Sequence, residues 1–162
     1  MQSRNFKLQR VGDYNWLSQN YGFSNVSKYI DELLLINVNA GGESDLVFLD
    51  YLMRLSRECF IPITAGGGVR SLDQIRNLFL HGADKVVVNT SLSENKQIVS
   101  DAASVFGRQS IVAAVDFKYS KNNFHPYMFN GTKQIECTLE RYLKDVLSQP
   151  IGELYLNSID RD

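Results

Sequence analysis

The chain has 162 residues, 44% of them hydrophobic and only three prolines, enough to bury the core of one ordinary domain spanning 1–162 and too apolar for a disordered chain. Its formal net charge is -1, so no basic surplus points to nucleic acid or an anionic membrane as a partner. No apolar run reaches the length of a transmembrane helix, and the opening MQSRNFKLQR has no apolar core of a secretory signal. Cys59 and Cys137 are too few and too far apart for a disulfide scaffold or a metal knuckle, so a reduced cytoplasmic setting is expected, with no metal and no cofactor.

Taken in order, residues 1–13 are polar, show no clean period and read as a loop carrying Lys7 and Arg10 toward Gly12 and Asp13. Asp13 is placed to cap a helix holding Trp16, Leu17 and Tyr21, interrupted by Gly22, with a further short helical stretch ending near Tyr29. A continuous apolar strand occupies 33–38, then a turn at Asn39, Ala40, Gly41 and Gly42. The next helix, 44–57, is expected to turn Leu46, Leu49 and Met53 inward.

The segment IPITAGGGVRSLDQIRNLFLHGADKVVVNTS, residues 61–91, organises the chain. A short β-branched run ends at Gly66, Gly67 and Gly68. Ser71 and Gln74 then have the spacing of a capping box, so a helix begins there. Leu72, Ile75, Leu78 and Phe79 share one face of it, and Gly82 is placed as its terminator. Val86, Val87 and Val88 run unbroken, as in a parallel strand covered on both sides. Two readings of the glycines stand side by side. They cradle an anion on backbone N–H groups at a helix start, with Asn89 and Thr90 adding donors from the next strand end, or they only make a tight turn.

Further on, a helix over 94–106 carries Ile98, Ala102, Val105 and Phe106 on one stripe and stops at Gly107. Residues 111–118 form another parallel-type strand with Asp116 at its carboxyl end. Asp116 reads either as a proton-shuttling carboxylate or as an N-cap for the next helix. Lys118 beside it reads as a phosphate contact or, the preferred choice, a solvated side chain. Residues 119–137 break the rhythm, and Asn130-Gly131 between Tyr127-Met128-Phe129 and Gln134-Ile135-Glu136 signals a hairpin. Leu139, Tyr142, Leu143, Val146 and Leu147 pattern an amphipathic helix, and 153–159 is the last strand. His81 closes a helix in a structural role, and His125 precedes Pro126 in a polar loop; neither has a nucleophile or second ligand as partner.

Strands alternating with helices make an α/β fold. Asn37, the three glycines, Asn89, Asp116, Ser158 and Asp160 all fall at carboxyl ends of strands, as in a (β/α)8 barrel or an open doubly wound sheet. Five strands are too few to close a barrel.

TAGGGVRSLDQIRNLFLHGADKVVVNTS, then VAAVDFK, then GELYLNSIDRD, resembles the cyclase subunit family of imidazole glycerol phosphate synthase, a (β/α)8 barrel of histidine biosynthesis. The resemblance implies an incomplete barrel of about strands two to six, with strands one, seven and eight missing. It implies a lyase-type synthase that joins ammonia from a glutaminase partner to a phosphorylated ribulosyl-aminoimidazole substrate. Asp116 matches one of the family's two general acid–base aspartates, the other belonging to strand one. Asp160 and Asp162 match an acidic motif near the reaction centre. Gly66, Gly67, Gly68, Asn89 and Thr90 match one substrate phosphate site. Glu32, Lys85 and Glu153 match charged residues around the ammonia entrance at the opposite ends of the strands.

Asn37 stands where the family usually has aspartate, and Asn157 where it has threonine; Phe117 after Asp116 and Tyr14 after Gly12-Asp13 are also unusual. These departures resemble paralogues that install ammonia-derived nitrogen on sugars of surface polysaccharides. A sister-family isomerase gives Glu32, Lys85 and Glu153 no purpose, and a non-catalytic phosphate-binding half-barrel is the reading outside catalysis. On the family's two-carboxylate mechanism, residues 1–162 alone are expected to be inactive.

Overall fold

The computed structural model describes residues 2–4, 7–9, 13–39 and 43–160. The expected loop at the start instead contains two three-residue strands, β1 (Gln2–Arg4) and β2 (Lys7–Gln9), paired antiparallel as a sheet of their own. Such short polar strands carry no alternating apolar pattern, which is why the sequence did not announce them. Arg10 and Gly12 lie outside the described residues. The Asp13 side chain accepts from the Trp16 N–H at 2.9 Å and starts α1 (Tyr14–Tyr21), and Gly22 ends it at φ 55°. A 3-10 turn over Phe23–Lys28 leads to the main sheet.

That sheet has five parallel strands in the order β3 (Leu33–Ile36), β4 (Ile63–Gly66), β5 (Lys85–Val88), β6 (Ile111–Ser120) and β9 (Glu153–Ser158). Each step along it crosses through helix: α2 (Glu43–Glu58), α3 (Leu72–Leu80), the short α4 (Ser91–Glu94) with α5 (Lys96–Phe106), and α6 (Leu139–Leu147). This is an α/β fold consistent with part of a (β/α)8 barrel, and the sheet does not close on itself. No helix among the described residues is long and apolar enough to cross a membrane.

Alternation along the strands divides the sheet into two faces. Ile63, Ala65, Val86, Val88, Ile111, Ala113 and Val115 join the core with Leu52, Leu55, Ile75, Leu78, Ile98, Val99, Ala102, Tyr142 and Val146 of the helices. Leu34, Thr64, Val87, Val112, Ala114 and Tyr155 lie on the other face, away from the core that the helices form. Three expected inward residues face solvent: Leu46 is 71% exposed, Val105 54% and Leu147 60%. In each helix a neighbouring stripe wins. On α2 it runs through Phe48, Leu49, Leu52 and Leu55, leaving Met53 half-buried; on α5 through Ile98, Val99 and Ala102; on α6 through Tyr142 and Val146. The helix expected over 94–106 is α5, preceded by the short α4, with Asn95 (φ -147°, ψ 70°) between them.

β6 outruns its neighbours. Asp116 and Phe117 pair with β9 on one side and with the antiparallel β7 (Asn123–Met128) on the other, so β7 occupies the lane above the end of β5. The turn between β6 and β7 is made by Lys121 and Asn122, both at positive φ, a hairpin with no Asn-Gly signal to reveal it. His125 therefore sits in a strand rather than a loop. The Asn130-Gly131 hairpin is present, with its strands displaced: β7 ends before Phe129, and β8 is Lys133–Gln134.

The capping box is complete. Ser71 Oγ accepts from the Gln74 N–H at 3.2 Å, and Gln74 Oε1 accepts from the Ser71 and Arg70 N–H groups at 3.2 and 2.8 Å. Replacing Ser71 with alanine is expected to lower stability by about 1 kcal/mol, read as a shifted urea midpoint with unchanged slope.

Candidate active site

Parallel register brings the carboxyl ends of the five strands into one row. Ile36 is level with Gly66, Gly66 with Val87, Val88 with Ala113, and Asp116 with Asn157. Above and inside this row lies an open cleft of about 1080 Å³, lined by Asn37, Gly67, Gly68, Asn89, Thr90, Asp116, Lys118, Asn157 and the Phe129–Asn130–Gly131 turn, among others.

The glycines divide by role. A Cβ on Gly66 would collide with Val87, and one on Gly67 with the Asn37 backbone. Gly66 also accepts from the Asn37 N–H at 2.7 Å and does not line the cleft, so its place is in the join between strands. Gly67 and Gly68 do line it, at φ 108° and 66°. Thr90 Oγ1 accepts from the Phe129 N–H at 3.3 Å, which ties the hairpin turn to the rim.

Asp116 is not an N-cap. Asn89 Nδ2 donates to its Oδ2 at 2.9 Å and Asn157 Nδ2 to its Oδ1 at 2.8 Å, one amide on each carboxylate oxygen. Asp160 also lines the cleft, and its carboxylate accepts from Ser158 Oγ at 2.8 Å and from the Tyr119 N–H at 2.9 Å. Asp162 lies outside the described residues. Lys118 is more than a solvated side chain: its Nζ donates to the Gly131 carbonyl at 3.1 Å and stands 4.5 Å from the centre of the Tyr127 ring. Asn37 Nδ2 donates to Asp45 at 2.9 Å and so serves its own loop. Asn157 and the Phe129 turn were not among the expected site residues; for Asn157 the available signals were its departure from the family's threonine and the two-residue period from Tyr155.

At the amino ends of the strands, Glu32, Lys85 and Glu153 meet. Lys85 Nζ donates to Glu32 at 2.9 Å and to Glu153 at 2.6 Å, while the Thr64 hydroxyl donates to the other Glu32 oxygen. Glu153 and then Glu32 hold the Lys85 ammonium above its ordinary pKa, and the Thr64 hydroxyl, then Lys85, holds the Glu32 carboxyl below its own. No group of three or more His, Cys, Asp or Glu suited to a metal ion occurs among the described residues.

The sequence pattern of the family described as histidine biosynthesis protein matches residues 17–162. The chain belongs to that family. Its HisF relatives include the "Putative imidazole glycerol phosphate synthase subunit hisF2" of Parasynechococcus marenigrum, 40% identical over 99% of this chain and 60% of the relative. The imidazole glycerol phosphate synthase subunit HisF of Exiguobacterium sp. is 33% identical over 96% of this chain and 60% of the relative. That of Chloroherpeton thalassium is 36% identical over 82% and 53%. The chain thus spans about 60% of the length of the first of these HisF proteins.

The charge cluster has a pH signature. A carboxyl held below its ordinary pKa contributes stability that is complete above the unfolded value and lost as pH falls through the folded one. The raised Lys85 contributes fully below its unfolded value, and that contribution is lost as pH rises through the folded one. Glu32→Gln is therefore expected to lower the melting temperature near pH 7, with the gap to wild type closing below about pH 4. A gap independent of pH would separate Glu32 from the cluster.

Proposed function

We propose that this HisF-family chain carries strands two to six of a (β/α)8 barrel and the ammonia-using half-site of an imidazole glycerol phosphate synthase cyclase. The single observation that carries the reading is Asp116: a carboxylate gripped on both oxygens where β6 passes beyond the end of β5, in a cleft shared with the Gly67-Gly68 turn. In this reading the N–H groups around Gly67, Gly68, Asn89 and Thr90 hold a substrate phosphate, and Asp116 moves protons as ammonia joins the substrate. Asp160 and Asp162 shape the acidic rim beside it. Glu32, Lys85 and Glu153 frame the entry of ammonia from a glutaminase partner at the far end of the strands. A cytoplasmic setting suits two free thiols, both held above their ordinary pKa chiefly by burial.

One observation favours a second reading, an ammonia-using subunit of polysaccharide sugar synthesis. Asn37 and Asn157 replace an acid and a hydroxyl in the cleft row, and the relative named hisF2 is similar over nearly the whole chain. In either case one of the two shuttling carboxylates is here, so the 162 residues by themselves are expected to bind phosphate without turnover.

In a complete enzyme carrying this segment, Asp116→Asn is expected to cut ammonia-dependent turnover by roughly 10²–10⁴-fold while substrate still binds. Near wild-type turnover would remove Asp116 from the chemistry. Lys85→Ala is expected to impair the glutamine-driven reaction, assayed with the glutaminase, more than the reaction fed with free ammonium. Equal losses in the two assays would leave Lys85 a structural charge.

A further inference from the structure

Lys118 lies two residues beyond Asp116 on β6, on the same face, and both line the cleft. Its backbone is level with His125, but its ammonium stands 4.5 Å from the centre of the Tyr127 ring, and Tyr127 is the residue level with Asp116. The half-buried side chain therefore leans back toward the level of Asp116 and away from the Lys121-Asn122 turn at the hairpin tip. Nζ also donates to the Gly131 carbonyl at 3.1 Å, so the ammonium is held between the hairpin and its Phe129–Gly131 turn.

What this ammonium lacks is an anion. Lys85, Lys96 and Lys144 each have a carboxylate oxygen within 2.9 Å, whereas Lys118 has no carboxylate partner among the described residues. The two described acids of the cleft take hydrogen bonds from other groups: Asp116 from Asn89 and Asn157, and Asp160 from Ser158 and the Tyr119 N–H. Of the three ammonium N–H groups, one serves the Gly131 carbonyl. A carbonyl and a ring face compensate a half-buried charge only in part, and an arriving oxyanion would complete the compensation. A latch between strand and turn needs one donor, which a neutral side chain also supplies. The positive charge is what the latch leaves unused.

We propose that Lys118 is a ligand-contacting residue, whose ammonium receives an oxyanion, phosphate or carboxylate, of the molecule that meets Asp116. It makes a second anionic subsite on the hairpin side of the cleft. The inference rests on the reading of this cleft as the ligand site, and does not require the cradle at Gly67 and Gly68.

The test titrates the 162-residue chain with methyl phosphate and, separately, with acetate, following backbone amide signals by NMR. The signals of Tyr127, Asn130 and Gly131 are expected to move along one saturable curve with at least one probe, and the tighter probe identifies the oxyanion. Lys118→Met removes the charge; Lys118→Gln removes it but keeps a donor for the Gly131 carbonyl. Each is expected to weaken the curve about tenfold or more, the loss of one charge-assisted hydrogen bond. Lys144→Met, at an exposed lysine, is expected to leave it unchanged. A Lys118→Gln chain that binds like wild type, or an equal loss in Lys144→Met, overturns the proposal. So do turn signals that stay still in the wild-type chain under both probes, a result that needs no variant to fold. The Gly67 and Gly68 signals are scored apart. If they move while the turn stays still, the cradle stands and the Lys118 subsite falls; if the turn moves and they do not, the subsite stands and the cradle falls.

Discussion

Two α-carbons without side chains hold the cleft together. At Gly66 the chain passes so close to Val87 that a methyl group has no room, and at Gly67 it passes as close to Asn37. The Asn37 N–H donates to the Gly66 carbonyl across the same gap. Three successive strand ends are thereby drawn into contact, and the positive φ of Gly67 and Gly68 turns the chain back over the cleft before α3 begins. Gly66 makes the close join and Gly67 and Gly68 the turn. The join does not compete with the proposed anion cradle, since Gly67 and Gly68 still line the cleft.

The second determinant is the length of β6. Its neighbour β5 ends at Val88, and the lane this frees is taken by β7. The hairpin therefore stands over Asn89 and Thr90, and its Phe129–Gly131 turn closes one side of the cleft. Lys118 is tied to that turn through the Gly131 carbonyl and the Tyr127 ring, so its ammonium is carried on the hairpin's geometry rather than on solvent. A single extension of one strand supplies wall, cation and latch to Thr90.

What the sequence made legible was local. The capping box and the unbroken Val86-Val87-Val88 each depend on a few adjacent residues and stand as expected. Asp116, expected at a strand end, is instead the sixth of ten residues of β6, which runs on into the hairpin. Helix faces were legible only approximately. Leu46, Val105 and Leu147 sit on the flank of apolar stripes wide enough to admit two orientations, and packing against the neighbouring helix and sheet chose between them. The Lys121-Asn122 turn was silent because it uses two non-glycine residues at positive φ, which the pairing of Asp116 to Ser120 with β7 stabilises. Asn157 was visible as a departure from the family, but its bond to Asp116 spans 41 positions, and nothing local encodes it.

The two ends of the strands are joined by β5 itself. Lys85 opens it at the charged amino-end cluster, and Asn89, four residues on, bonds Asp116 in the cleft; at strand rise the separation is roughly 13 Å. Between them the inner face offers Thr64, Val87, Val112 and Ala114, and the Thr64 hydroxyl is already committed to Glu32. An ion leaving the Lys85 cluster along this face would lose its hydration with little to replace it, whereas a small neutral molecule would lose far less. Lys85 is itself satisfied by two carboxylates, so the cluster stays charged without recruiting the passing species. For the proposed ammonia route this layout favours NH3 over NH4+, and it places the need for a proton acceptor at the other end, where Asp116 stands with lone pairs turned to the cleft.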